Sequence, residues 1–151
     1  MEYRFASMED VPLLARMNRE LVEDEGHRNR FQSPAWFEDR MRGFIDGVYR
    51  AVVFERDGRA LAYALYTDQT EHADEIYLRQ IFVDRSCRRQ GIGREAMRIL
   101  REEIWPEEKR ITVGVLQGNQ PAIEFYRAIG FQPYSMEMEL RARTGPYEKD
   151  R

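Results

Sequence analysis

The chain has 151 residues, of which 42% are hydrophobic, 34% charged and 12% aromatic; this is one domain's worth of foldable sequence and excludes disorder as its overall state. With 24 basic and 27 acidic residues the net charge is −3, without the net basic field expected of a nucleic-acid binder. No window approaches the roughly 18 apolar residues of a membrane span, the N-terminus Met1-Glu2-Tyr3-Arg4-Phe5 lacks a signal-peptide layout, and the lone Cys87 forms no intrachain disulfide.

Tyr3-Arg4-Phe5 reads as a short first strand. Ser7 with Asp10 resembles a capping box, after which Val11, Leu14, Met17 and Leu21 recur at helical spacing up to Glu23-Asp24-Glu25-Gly26. Ser33-Pro34 starts a second helix with Trp36, Phe37, Met41, Phe44 and Ile45 on its apolar face. Residues 49–55 and 60–67 read as strands around the turn signal Arg56-Asp57-Gly58-Arg59. Residues 75–83 read as a fourth strand with a phase switch: Ile76 and Leu78 share one parity, Ile81 and Val83 the other. Because side chains alternate faces, this predicts a bulge or splay near Arg79-Gln80; a strand buried on both faces needs none.

From residue 93 to 104, Ala96, Met97, Leu100 and Ile104 keep helical spacing until Pro106. Ile111, Val113 and Val115 alternate as a strand. Pro121 opens a helix with Ile123, Phe125, Tyr126 and Ile129 on its apolar side and Gly130 at its end. Met136, Met138 and Leu140 alternate as a last strand. The chain therefore reads as a single domain over residues 1–143 with a polar tail over 144–151, built as an α/β sandwich around a mixed sheet.

The chemistry concentrates in Ile81-Phe82-Val83-Asp84-Arg85-Ser86-Cys87-Arg88-Arg89-Gln90-Gly91-Ile92-Gly93-Arg94, a strand that enters an arginine-rich loop and opens a helix through two glycines. Glycines admit a ligand close to the backbone, and a helix start offers unpaired amides and the positive end of a dipole, so the segment suits a pyrophosphate. It is neither a P-loop nor a dinucleotide fingerprint, since both spacings are absent. One cysteine and two histidines make no metal site, and the default setting is reducing and cytoplasmic.

Arg88-Arg89-Gln90-Gly91-Ile92-Gly93 resembles the Gln/Arg-x-x-Gly-x-Gly/Ala signature of the GCN5-related N-acetyltransferases (GNAT family). The stretch from Val115 through Asn119, Pro121 and Tyr126 to Gly130-Phe131 is similar to that family's later strand, Asn-containing loop and Tyr-bearing helix. The resemblance implies a mixed, mostly antiparallel sheet with a splayed central strand pair and helices on both faces. It further implies acetyl-CoA as cosubstrate: backbone at Ile81, Phe82 and Val83 along the pantetheine, amides from Arg88, Arg89, Gln90, Gly91, Ile92, Gly93 and Arg94 on the pyrophosphate, Asn119 at the pantetheine or supporting the loop, and Tyr126 near the thioester sulfur. Asn119 as a helix cap is compatible with that role, and Tyr126 has a plain alternative as a core aromatic. Direct transfer, as the resemblance implies, leaves Cys87 a bystander.

An alkylamine with a pKa near ~10.4 must lose a proton before it attacks a thioester, and the departing thiolate needs a donor. Tyr126 is the candidate donor, and a backbone amide near Phe82 or Val83 can polarise the carbonyl. The base is harder to read. Some relatives place a Glu in mid-strand where this chain reads Tyr77-Leu78-Arg79-Gln80, and Glu75 lies farther out. Glu23, Asp24 and Glu25 form an acidic lip suited to attract a small cationic amine, with Glu23 as candidate base and His27 as second choice; a solvated helix end is the competing reading. The acceptor is a small-molecule amine or a protein amino group. A non-catalytic acyl-CoA-binding or sensor module is the alternative, no nucleic-acid or membrane partner is expected, and a homodimer is compatible with such a fold.

Overall fold

The computed structural model describes residues 1–145, and the chain runs β1 (Glu2–Phe5), α1 (Val11–Glu25), α2 (Pro34–Asp46), β2 (Arg50–Arg56), β3 (Arg59–Thr67), β4 (Glu75–Val83), α3 (Ile92–Ile99), β5 (Arg110–Val113) and α4 (Gln120–Ile129). The strands form one sheet in the order β1-β2-β3-β4-β5, antiparallel except for the parallel β4–β5 pair. In the β2–β3 turn, Asp57 (φ 54°) and Gly58 (φ 77°) both take positive φ, the hand that matches the twist of a tight hairpin.

Both faces of the central hairpin are apolar, so both need cover. Ala51, Val53, Tyr63 and Leu65 meet Leu14 and Met17 of α1 and Phe37 and Met41 of α2. Val52, Phe54, Ala62, Ala64 and Tyr66 meet Ala96, Met97 and Ile99 of α3 and the following Leu100, with Phe125 and Tyr126 of α4 packed alongside. The mixed, mostly antiparallel sheet with helices on both faces is thus the fold observed.

β4 holds the bulge that its phase switch predicts. Gln80 pairs with Leu65 and Leu78 with Tyr66, leaving Arg79 as an extra residue. That insertion keeps Ile76 and Leu78, then Ile81 and Val83, against the α3 layer, and turns Phe82 into the α1/α2 layer. Gln80 turns the same way as Phe82: its Oε1 accepts a 2.9 Å hydrogen bond from the fully buried Tyr63 hydroxyl, which accepts one of 3.2 Å from Asn18 Nδ2 on α1.

Two expectations are corrected at the C-terminal side. β5 stops at Val113, so Val115 lies in a loop; a Cβ on Gly114 would already stand 3.4 Å from the Tyr77 hydroxyl, and the chain turns away there. Residues 136–140 form no strand. Met136, Met138 and Leu140 are 79%, 85% and 100% exposed, because β5 offers only a four-residue edge and polar contacts draw the segment elsewhere. The Arg110 guanidinium lies 5.1 Å over the Tyr134 ring, and Glu139 meets Arg28 at 2.5 Å. The polar tail expected over 144–151 lies, past Gly145, outside the described residues.

Substitutions at side chains this exposed change stability by no more than about 0.5 kcal/mol. Met136→Lys combined with Met138→Lys should therefore leave Tm within about 2 °C of wild type by calorimetry. A fall of more than about 5 °C would mean that these residues pack as a strand.

Candidate functional site

β4 borders β5 only from Glu75 to Leu78, opposite Arg110 to Val113. Beyond the bulge Ile81, Phe82 and Val83 keep their β3 partners but have no paired strand on the β5 side among the described residues. The backbone groups on that edge are left for another extended group to pair with. Glu75 is engaged at the far end, where Thr112 Oγ1 donates to it at 2.6 Å and Arg110 lies at 3.6 Å.

The loop after β4 is shaped locally. Asp84 accepts hydrogen bonds from the Ser86 amide (3.0 Å) and hydroxyl (2.7 Å), and Cys87 is buried beneath. Arg89 (φ 66°) and Gly91 (φ 74°) take left-handed conformations that turn the chain into α3. The first helical bond there is Glu95 N to Gly91 O at 3.0 Å, so the amides of Ile92, Gly93 and Arg94 head the helix without intrahelical partners. The two glycines do different work. A Cβ on Gly91 would enter open space, whereas one on Gly93 would stand 3.1 Å from the Phe125 ring and 3.5 Å from Val83. Gly93 lets α4 pack on the first turn of α3; Gly91 keeps the seat before it clear. Gln90, Arg89 and Arg94 are exposed at this seat.

Arg85 and Arg88 are held elsewhere. Asp24, near the end of α1, accepts from Arg85 at 2.9 Å and from Arg88 at 2.6 Å, and Arg88 also donates to the Val83 carbonyl at 3.3 Å. Burial acts to raise the Asp24 carboxyl, but the hydrogen bonds from Arg88 and Arg85 outweigh it and hold it below the ordinary value. Glu23 is exposed and lies 3.9 Å from Arg85. Two of the three acids expected as a lip are therefore turned toward the loop's arginines. His27 caps the next turn, its Nδ1 accepting from the Asn29 amide at 3.0 Å.

Glu25 faces the other way. It is half-buried, and burial raises its carboxyl above the ordinary range although Arg40 opposes this. Its charge bears on Arg40, Tyr63, Tyr77 and Tyr126. Tyr126 on α4 packs against Phe125 and Phe131 with ring centroids 5.3 Å away from each, and burial pushes its phenol well up, so it stays protonated at any working pH. Asn119 caps α4, its Oδ1 accepting from the Ala122 amide at 3.3 Å.

Two residues of this region have no role in the sequence reading: Arg40 and Arg79, both against the Phe44 ring. The signal for Arg79 was the phase switch itself, since the residue a bulge inserts is aimed differently from its neighbours. For Arg40 the signal was its spacing of four from Trp36 and from Phe44, which places all three on one helical stripe.

The acetyltransferase (GNAT) family model matches residues 13–131. Among solved structures, a single-residue variant of the BH1408 protein of Bacillus halodurans is 21% identical, covering 94% of this chain and 99% of that one with a TM-score of 0.72. The aminoglycoside N-acetyltransferase AAC(6')-Iy in complex with CoA is 13% identical, with 95% of each chain covered and a TM-score of 0.71. The aminoglycoside 6'-N-acetyltransferase AAC(6')-IG of Acinetobacter haemolyticus is 17% identical, with 96% and 100% covered and a TM-score of 0.70. At these identities the likeness is one of fold. No curated protein matches the chain.

The Asp24 contact carries a definite pH signature. Its carboxyl is depressed on folding, so its contribution is complete above the unfolded value of 3.8 and is lost as pH falls through the lower folded value. Asp24→Asn should lower Tm modestly at pH 5–8, as expected of a partly exposed ion pair. The gap from wild type should close below pH 3.8 in calorimetric scans. A gap that does not narrow at all as pH falls below 3.8 would show that the carboxylate charge is not what matters.

Proposed function

The chain belongs to the acetyltransferase (GNAT) family, and on that premise we propose that residues 1–143 form one N-acetyltransferase domain that moves the acetyl group of acetyl-CoA directly to an amine. The observation that carries the reading is the clear seat before α3, where open space at Gly91, unpartnered helix amides and an unpaired strand edge converge. The fit to acetyl-CoA follows from these groups. Amides from Arg88 to Gly93, with Arg94, would hold the pyrophosphate, the exposed Arg89 and Arg94 adding charge. The edge at Ile81, Phe82 and Val83 would pair with the pantetheine, and Asn119, by capping α4, would hold the adjoining loop in place. When bound, acetyl-CoA supplies an activated thioester carbonyl, which a strand amide near Phe82 or Val83 would polarise.

Tyr126 is the donor to the sulfur in this reading. Its raised pKa makes a hydrogen bond to the developing thiolate more favourable than full proton transfer, since a thiol is the stronger acid. The base role, expected at Glu23, is better supported at Glu25: the former lies outside against Arg85, while the latter is half-buried, its carboxyl raised by burial and its charge acting on Tyr126 and Tyr77. A non-catalytic acyl-CoA-binding module was suggested by the missing carboxylate in mid-β4, and in this reading Glu25 supplies one from α1 instead. A reducing, cytoplasmic setting suits the free Cys87.

One set of variants tests cofactor and chemistry together. Gly91→Asp should weaken acetyl-CoA binding at least tenfold, about 1.4 kcal/mol, by calorimetry. Gly91→Asn, which tolerates the same left-handed backbone without the charge, should weaken it less. Tyr126→Phe and Glu25→Gln should lower kcat by roughly 10²–10⁴ with acetyl-CoA affinity nearly unchanged, while Glu23→Gln stays near wild type. Unaltered affinity in Gly91→Asp would remove the loop from the account, and full turnover in Tyr126→Phe at every pH would remove the tyrosine.

A further inference from the structure

Where α2 lies beside β4, the structure carries a charge arrangement that acetyl transfer itself leaves unused. Arg40 Cζ lies 5.2 Å from the Trp36 ring and 5.4 Å from the Phe44 ring. Arg79 Cζ lies 4.9 Å from the same Phe44 ring and 5.6 Å from the Tyr49 ring, whose hydroxyl accepts from Arg79 at 3.3 Å. Two guanidinium groups thus share one aromatic ring. Neither has a carboxylate in salt-bridge contact among the described residues, and Arg40 NH1 and Arg79 Nε are buried without a hydrogen-bond partner. Glu25 is the acid whose charge reaches Arg40, and it makes no ion-pair contact with it.

Two like charges on a partly desolvated wall repel each other, and a buried N–H without a partner costs roughly 1–3 kcal/mol. Burial and the neighbouring Arg79 both lower the pKa of Arg40, which is the same conflict expressed in its protonation. Folds hold such conflicts where a ligand resolves them. A guanidinium fork matches the oxygens of a carboxylate or phosphate. The opposite charge, Glu25, acts on Arg40 without an ion pair to it, so the region is dipolar rather than acidic. The acids that would have drawn in a polycation, Glu23 and Asp24, lie instead against Arg85 and Arg88.

We propose that Arg40 and Arg79 receive an anionic oxyacid group carried by the acceptor itself, so that the acceptor is an amine that also bears a carboxylate or phosphate, its nitrogen directed at Glu25 and its oxyacid at the arginine pair. This rests on the acetyl-transfer reading above and names the substrate class for the same site. It also replaces the purely cationic amine expected from the acidic lip.

The test is thiol release from acetyl-CoA with matched acceptors: each amino acid against its amide, O-phosphoethanolamine against ethanolamine, and spermidine and kanamycin as purely cationic amines. Acetyl-CoA affinity by calorimetry and Tm are measured alongside. The acid member of at least one pair should exceed its neutral partner at least tenfold in kcat/KM, mainly through KM, and the type of pair identifies the oxyacid. Arg40→Gln and Arg79→Gln should each bring that ratio toward one, with acetyl-CoA affinity unchanged. Arg40→Gln should leave Tm unchanged or raised, because it removes an unpaired buried charge. Arg79→Lys, which keeps charge but loses the fork, should recover only part of the ratio.

The inference is overturned if spermidine, kanamycin or the neutral partners serve as well as the acids, or if the variants keep the ratio. A Tm loss in Arg40→Gln with the ratio intact would make the pair structural and overturn it equally. If acetyl-CoA binds but no member of the panel is acetylated, the acceptor class is wrong while the cofactor reading stands. If acetyl-CoA does not bind, the functional reading fails and this inference fails with it.

Discussion

The inserted residue at Arg79 is the constraint on which the rest of the site depends. A strand without it would carry Ile81 and Val83 to the α1/α2 face and Phe82 to the α3 face, inverting the burial of its second half. With it, both halves of β4 keep their aliphatic residues against α3, and Gln80 reaches the buried Tyr63 and Asn18. The same insertion separates the half of β4 that pairs with β5 from the half that does not. The unpaired edge proposed for the cofactor and the placement of Arg79 against the Phe44 ring are thus two results of one backbone irregularity.

The end of α1 distributes its charges according to helix geometry. Successive residues point about 100° apart, so the side shared by Glu23 and Asp24, which meets the loop, lies roughly 150° from Glu25. Asp24 takes the loop, where Arg85 and Arg88 fasten it, and Glu25 is left in a partly desolvated position. Holding the loop to α1 in this way also fixes where the seat before α3 lies relative to Glu25. The loop before α3 and the end of α1 are therefore tied by a pair of charge-assisted hydrogen bonds, which would hold the proposed cofactor seat and acceptor side together.

Much of this was legible in the chain because it is periodic or local. Parity along β4 gave away the bulge, Asp57-Gly58 marked the hairpin, and the two glycines marked the loop. Alternation at Met136, Met138 and Leu140 misled because it records a pattern and not a partner: β5 is too short to offer an edge, and Arg28 and Arg110 draw the segment aside. The acidic run at the end of α1 was visible, but which of its members met arginines depended on residues some sixty positions later, and no local rule supplies that. Arg40 looked like an ordinary polar position beside Trp36 and Phe44 on one helical stripe; only the tertiary fold brings Arg79 to the same Phe44 ring.

Backbone amide hydrogen exchange with and without CoA reads the central claim most directly, since it reports on the groups said to hold the cofactor. The account requires added protection at the open-edge amides between Gln80 and Val83 and at the amides from Arg88 to Arg94, with the β2–β3 hairpin unchanged. Protection confined to another surface, or none at these two segments at saturating CoA, would contradict it.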